Sequence, residues 1–462
     1  MKIKIILPWH YGSKRANVQN NAVSASPFVL EYLAGLVPFG AGIKLVDMGH
    51  GDDPGYDDDG VDLVAISVRT PVATTAFRIA DEFRKRDVKV AMGGSHPTLL
   101  PEECKGHSDS VCIGEGEKAW PAMLKDLARG DLRDYYVGGT HPVSHLKGRI
   151  RKFPLSDLHN LSLPRRDLFP PGRYQSQGVF LSRGCPYGCK FCSVKNLQGA
   201  RVRLRPVEEV LKEISGIKKP IFLAEENATG IPSTTDYYLE LFQRMAATGE
   251  KRSWSGGTLF AMADNKKGIK VLEAAAKSGF CFAFIGFETL SEESAKRAGV
   301  LKKLGHSPAE TFDRRKLEEL VKVYYDLGVY VMGYFIVGFD EDTEDTYKRI
   351  LDFCDSTKVM PMFTILAPMP GTQLYQEYSQ QERFRKKIEW DDFGSDALTF
   401  RHPHFSALKI LQLYQKLWEE AFDTTRCQER MDFVRKTFSQ QTISGIVERV
   451  QLVVREEYNL PL

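Results

Sequence analysis

The sequence has little that would tie it to a membrane, a polyanion or an oxidising compartment. Its longest charge-free apolar stretches, such as Tyr32 to Ile43, fall well short of the ~20 residues that a membrane-spanning helix needs. Neither sign of charge dominates: 63 Lys and Arg against 60 Asp and Glu leave +3, so no large basic field marks nucleic acid as the main partner. Cysteine is scarce, and 8 in 462 residues are too few for a disulfide scaffold. The start Met1-Lys2-Ile3-Lys4 runs directly into a strand-like segment, with no small-residue cleavage site behind a hydrophobic core. A cytoplasmic protein that does not span a membrane is expected. Its length corresponds to two or three domains at roughly 150 residues each.

Residues 1–140 alternate short apolar runs with helical patterns. Lys4 to Leu7, Ile43 to Val46, Val61 to Val68 and Val88 to Met92 read as strands, short, β-branched and closed by Gly, Pro or Asp. Between the last two, Ala76, Ile79, Ala80 and Phe83 recur on one helical face. Such βαβ alternation favours a doubly wound parallel sheet with its ligand beyond the carboxyl ends of the strands. Those ends carry Ser67-Val68-Arg69-Thr70 and Gly93-Gly94-Ser95-His96-Pro97. A Pro- and Arg-rich stretch at 141–174 reads as a linker between domains.

A second alternation fills 175–372, with strands expected at Val179 to Ser182, Ile221 to Leu223, Gly256 to Leu259, Ala283 to Phe287, Val329 to Val337 and Phe363 to Ala367. Six β/α repeats imply a partial barrel with a site at its C-terminal rim. Over 373–462 the strands stop; Ala407, Ile410, Leu411, Tyr414, Leu417 and Trp418 share one face, and a small helical C-terminal domain is expected.

The sharpest motif is Arg183-Gly184-Cys185-Pro186-Tyr187-Gly188-Cys189-Lys190-Phe191-Cys192-Ser193, just after the first strand of the second alternation. Three thiolates spaced by three and two residues can wrap three corners of a cubane and leave its fourth iron without a protein ligand. Structural zinc prefers four closed ligands, and no fourth Cys or His lies at a typical short spacing. A redox pair of Cys189 and Cys192 would leave Cys185 idle.

With this motif in this place, the chain resembles radical S-adenosylmethionine enzymes of the subgroup with an N-terminal cobalamin-binding-type domain, and its tail resembles those of the hopanoid-methylase-like members. Weaker stretches agree. Asp62-Leu63-Val64-Ala65-Ile66-Ser67, Gly93-Gly94-Ser95-His96-Pro97-Thr98 and Gly114-Glu115-Gly116-Glu117 are similar to the family's first domain. Ile285-Gly286-Phe287-Glu288, Phe335-Ile336-Val337-Gly338-Phe339 and Ala367-Pro368-Met369-Pro370-Gly371-Thr372 are similar to its barrel strands and rim loops.

The resemblance implies a [4Fe-4S] cluster on Cys185, Cys189 and Cys192, whose open iron chelates S-adenosylmethionine; one electron then releases a 5′-deoxyadenosyl radical that abstracts a substrate hydrogen. Candidate contacts to S-adenosylmethionine are Phe191 near the adenine, Glu225 and Glu226 with Asn227 for the ammonium, Ser255 for the ribose or carboxylate, and Glu288 and Arg203. Gly256 and Gly257 are candidates for close backbone approach to the nucleoside. Candidates for the cobalamin-facing rim are Ser67, Arg69, Thr70, Gly93, Gly94, Ser95 and Glu115. The signature that supplies an axial histidine, Asp-x-His-x-x-Gly, is replaced by Asp47-Met48-Gly49-His50-Gly51, so neither His50 nor His96 is assigned to cobalt.

The expected function is cobalamin-dependent methylation of an unactivated carbon in a small-molecule or lipid substrate, with a flavodoxin or ferredoxin as reductant. The alternatives are rearrangement, dehydration, cyclisation or carbon-carbon coupling without cobalamin, and a non-catalytic iron-sulfur electron-transfer module.

Overall fold

The computed structural model describes residues 1–9, 25–57, 60–138, 141–143, 155–250, 252–306, 312–394, 396–438 and 441–457. Asp58 and Asp59 of an acidic loop, and residues 144–154 of the expected linker, lie outside them.

The N-terminal sheet has seven strands: β1 (Lys2–Leu7), β2 (Gly42–Asp47), β3 (Leu63–Ser67), β4 (Lys89–Gly93), β5 (Ser110–Ile113), β6 (Tyr135–Val137) and β7 (His141–Val143), in the order β2-β1-β3-β4-β5-β6-β7. All pairs are parallel except β6 with β7. The last three strands are absent from the sequence reading, because runs of three or four residues are too short to show a period. Every residue of β3 is buried, as a strand covered by helices on both faces requires. Chain order reverses between β1 and β3, so the ligand crevice is expected at the carboxyl ends of those two strands.

The second sheet contains β8 (Gln177–Val179), β11 (Ile221–Leu223), β12 (Trp254–Thr258), β13 (Phe280–Glu288), β14 (Tyr330–Val337) and β15 (Met360–Ile365), all parallel, in the order β15-β14-β13-β12-β11-β8. This is the six-stranded partial barrel that the repeats imply. Trp254 stacks on Phe242 of the helix Thr235–Ala247, so the buried positions of β12 face the helical layer. The half-buried positions of the six strands are Gln177, Phe222, Ser255, Gly257, Phe284, Gly286, Tyr334, Ile336, Met362 and Thr364. They line the lumen, and none is charged.

Helices Ala407–Ala421, Thr424–Thr437 and Gln441–Glu457 form the tail. They share one continuous core with the barrel rather than a separate one. Trp418 packs edge-on to Phe363 at 4.9 Å, and the Tyr414 hydroxyl donates to the Phe363 carbonyl at 3.2 Å.

Buried charge joins the two sheets. Arg166 donates to Glu213 at 2.5 Å and lies 4.0 Å from Glu31, while Arg205 pairs with Glu213 at 2.8 Å. Glu31 and Glu213 are both buried, so the two carboxylates depend on Arg166 and on the buried Arg205 for compensation. On the opposite side, Asp391 caps the helix Ala73–Arg84 from the tail by accepting from the Thr74 and Thr75 amides at 2.9 and 3.1 Å. No helix among the described residues is long and apolar enough to cross a membrane.

Candidate functional site

The cysteine loop leaves the barrel at β9 (Ser182–Arg183) and returns at β10 (Arg203–Leu204), an antiparallel pair that closes it at the root. Gly184 takes φ +103°, and a Cβ there would stand 2.3 Å from the Arg201 carbonyl, so only glycine lets the two arms meet. The Cys185 amide donates to Gly199 and the Cys192 amide to Cys189, each at 3.1 Å, curling the loop around its three thiols. All three cysteines are unpaired and half-buried. Asn227 Nδ2 lies 4.0 Å from the Cys185 sulfur. Burial raises the thiol of Cys189 to about 11 and also that of Cys192, while the Lys303 ammonium pulls both back.

Lys303 escaped the sequence reading, since one lysine of a Lys-Lys pair 15 residues past a strand carries no spacing signal. It forms an ion pair with Glu288, which ends β13 at φ +63°, a conformation rare for a residue with a side chain. Gly286 makes room for the pair: a Cβ there would lie 2.4 Å from Glu288 Oε1 and 2.8 Å from Lys303 Nζ.

The two carboxylates after β11 diverge. Glu225 is buried in the barrel wall, with Oε2 accepting the Leu181 amide at 3.2 Å and Oε1 lacking a partner; burial raises its pKa to about 8. Glu226 is half-buried and receives Gln198 Nε2 at 3.0 Å. Burial raises its pKa too. Of the two, Glu226 is the one open to a ligand. Phe191 meets Phe339, just past β14, at 6.3 Å.

Several expected contacts lie elsewhere. Arg203 gives both guanidinium arms to Glu115, at 2.6 and 2.9 Å, and is not free for a ligand carboxylate. Ser255 is the second residue of β12, at the amino end of the strand and away from the C-terminal rim; the strand begins at Trp254, two residues before its expected start. Gly256 and Gly257 admit the neighbouring chain rather than a nucleoside: their Cβ atoms would stand 2.6 Å from Ala228 Cβ and 2.8 Å from the Glu226 carbonyl.

At the carboxyl edge of the N-terminal sheet lies a cavity of about 340 Å³, with Ser67, Gly93, Gly94, Ser95 and Glu115 on its wall and Tyr32, Met92 and Trp120 supplying apolar surface. Gly94 takes φ +111°, and a Cβ would reach within 2.7 Å of the Val68 carbonyl. Thr70 is not part of this cavity; it is buried against His96 Nδ1 at 3.2 Å. His96 is fully buried and packs edge-on to Trp390 of the tail at 5.0 Å. Arg69 stays exposed, its guanidinium 5.8 Å from the Trp9 ring, and does not line the cavity. His50 packs on Tyr174 at 4.9 Å.

Three lining residues, Arg183, Leu197 and Gln198, come from the cysteine loop. Arg183 pairs with Glu117 at 2.6 Å and Glu115 at 3.3 Å. The Gly114-Glu115-Gly116-Glu117 stretch therefore clamps both ends of the cysteine loop through Arg183 and Arg203. In the sequence it reads only as part of the first domain.

Two family models match: the radical SAM superfamily over residues 179–354 and the B12 binding domain over residues 56–124. The chain belongs to the radical SAM superfamily. Its N-terminal sheet holds the B12-binding domain. Among curated proteins it is 28% identical to the bacteriochlorophyllide d C-12(1)-methyltransferase of Chlorobaculum tepidum, over 90% of this chain and 86% of the relative. It is 23% identical to the hopanoid C-2 methylase of Rhodopseudomonas palustris, over 75% and 62%. In fold it is similar to the radical S-adenosylmethionine methyltransferase TsrM of Kitasatospora setae, at a TM-score of 0.67, 16% identity, and 90% and 88% of the two chains. It is also similar to the cobalamin-dependent S-adenosylmethionine radical enzyme OxsB, at 0.66, 15%, and 99% and 80%.

This radical SAM enzyme uses a [4Fe-4S] cluster, S-adenosylmethionine and cobalamin as cofactors. Its residues fit them. Three unpaired thiols on one loop, with a lysine to offset their charge, suit a cluster with one iron left open. The apolar cavity with hydroxyls on its wall suits the flat base of a corrinoid nucleotide tail.

Proposed function

We propose that the enzyme transfers a methyl group to an unactivated carbon of an apolar, ring-containing small molecule. The observation that carries this reading is the shared cavity: a B12-type pocket whose wall includes residues of the cysteine loop sets a methyl donor beside the site of radical formation. When bound, the cluster and S-adenosylmethionine supply a 5′-deoxyadenosyl radical, and cobalamin supplies the methyl group.

The chain's own residues divide the remaining work. Cys185, Cys189 and Cys192 hold the cluster, and Lys303 keeps positive charge beside them. Glu226 receives the ammonium of S-adenosylmethionine, and Phe191 covers its adenine. Ser67, Gly93, Gly94 and Ser95 admit the corrinoid tail. The lumen residues Phe222, Phe284 and Tyr334 form a chain of ring contacts at 5.9 and 6.4 Å, and the charges beside Gly286, Glu288 and Lys303, are paired with each other. Such a surface accepts a neutral hydrocarbon ring and penalises a sugar phosphate or a charged peptide. The relatives named for bacteriochlorophyllide and hopanoid methylation support the same substrate class. A flavodoxin or ferredoxin is the proposed electron donor. The cytoplasm is the proposed location, where the three cluster thiols stay reduced.

The test measures corrin and iron per chain after anaerobic expression with hydroxocobalamin, then incubates the enzyme with labelled S-adenosylmethionine and an uncharged chlorin or triterpene. About one corrin with four irons, and label in a methylated product, is expected. Four irons without corrin, together with an unmethylated product, overturns the reading.

A further inference from the structure

The cavity at the end of the N-terminal sheet is completed by the barrel, and one residue of its wall reaches onward to the reaction site. Gln198 closes the short helix Val194–Gln198 that follows Cys192. Its Oε1 accepts the Gly184 amide at 3.0 Å, immediately before Cys185. Its Nε2 donates to Glu226 Oε1 at 3.0 Å, at the end of β11. Its backbone carbonyl accepts from Arg203 at 3.0 Å, and that guanidinium is held by Glu115 of the B12-binding domain.

The orientation of the amide is fixed by its partners. The Gly184 N–H can only donate and an ionised Glu226 can only accept, so flipping the amide would set donor against donor and acceptor against acceptor. The same residue forms part of the cavity wall beside Leu197 and Arg183. A molecule filling the cavity meets Gln198, and the Gln198 amide holds both the root of the cysteine loop and the carboxylate placed for the S-adenosylmethionine ammonium. The Glu115 and Glu117 ion pairs to Arg203 and Arg183 tie down the loop on either side of Gln198, so Gly184 and Glu226 are the groups a shift of Gln198 would reach.

We propose that Gln198 is a positioning residue through which cobalamin in the N-terminal cavity and S-adenosylmethionine at the barrel rim each strengthen the binding of the other. The proposal rests on the cofactor assignment above. By linkage the two effects are equal in size, and coupling between packed sites falls in the range of about 5- to 150-fold.

The experiment uses the full chain with its cluster reconstituted and no reductant, so that nothing turns over. The affinity for labelled S-adenosylmethionine is measured by equilibrium dialysis with and without hydroxocobalamin, and corrin affinity by its visible absorbance with and without S-adenosylmethionine. Tightening of each by about fivefold or more in the presence of the other is expected. Gln198→Met keeps the stem but loses both hydrogen bonds, and both ratios should fall to within about twofold of one while iron and corrin content per chain hold. Gln198→Glu, which still accepts from Gly184 but repels Glu226, should lose the coupling too and guards against a folding defect in the first variant. A wild-type ratio of one, or coupling that survives in both variants, overturns the proposal. Wild-type protein that takes up no corrin overturns it together with the cofactor assignment, an outcome recognised by the missing corrin absorbance.

Discussion

Two pairs of glutamates show how one residue type serves two ends in this molecule. Glu115 and Glu117, at the start of the helix Gly116–Leu127 that follows β5, are held by Arg183 and Arg203 and bind the B12-binding domain to the barrel. Glu225 and Glu226, after β11, form no ion pair among the described residues, and burial raises the pKa of both. A carboxylate that is already neutralised by arginine is structure. One left without a cation at a strand end is available to a cationic ligand or is held protonated. The difference comes from the neighbours that the fold supplies, because the sequence writes Gly-Glu-Gly-Glu and Ala-Glu-Glu with equal plainness.

Substitutions can break the comparison at either side, and the largest effect lies between the two pairs. Replacing Cys185, Cys189 or Cys192 with Ala should remove the cluster and S-adenosylmethionine cleavage together, read by iron content and 5′-deoxyadenosine release; cleavage surviving at more than about a thousandth of the wild-type rate would refute the ligand assignment. Next comes the clamp. Arg203→Ala leaves Glu115 buried with the 3.3 Å contact to Arg183 as its one remaining cation and the Ser156 amide at 2.6 Å, and a loss of about 3 kcal/mol in unfolding free energy is expected, with weaker corrin uptake.

The unpaired glutamates should separate from each other. Glu226→Gln should weaken S-adenosylmethionine binding by about tenfold at unchanged melting temperature, since it removes one charge-assisted contact. Glu225→Gln should act on stability instead. The folded pKa of Glu225, about 8, stands above its ordinary value of 4.5, so its contribution is present at low pH and lost as pH rises through about 8. The variant should therefore gain on the wild type between pH 5 and pH 8 in thermal melts, by on the order of a few kcal/mol. A flat difference across that window would place Glu225 in solvent. The smallest effect belongs to the tail, where Asp391→Ala should cost about 1 kcal/mol as the helix Ala73–Arg84 loses its cap.

The cysteine loop was legible because its chemistry is local: three thiols within eight residues carry their spacing wherever the loop goes. Six barrel strands were legible for a similar reason, each being a β-branched or aromatic run between helical patterns. The ends of strands were less so: β12 starts at Trp254, two residues before its expected start, and Ser255, expected just ahead of the strand, lies within it at a half-buried position. Arg203 misled for a different reason. An arginine 11 residues past the last cysteine is as well placed in sequence for a ligand as for an ion pair, and its partner, Glu115, lies 88 residues away.

By itself, then, the sequence determined two parallel α/β sheets, a cluster loop after the first barrel strand and a helical tail, because these depend on periodicity and spacing within a few tens of residues. The tertiary structure alone decided which charges are spent on one another. It brought Lys303 to Glu288 and the cysteines, Asp391 to a helix 316 residues away, and Gln198 to both Gly184 and Glu226. Pairing of that kind depends on desolvation and on distances of a few ångströms across chain segments far apart in sequence, and those exist only once the two sheets have packed together.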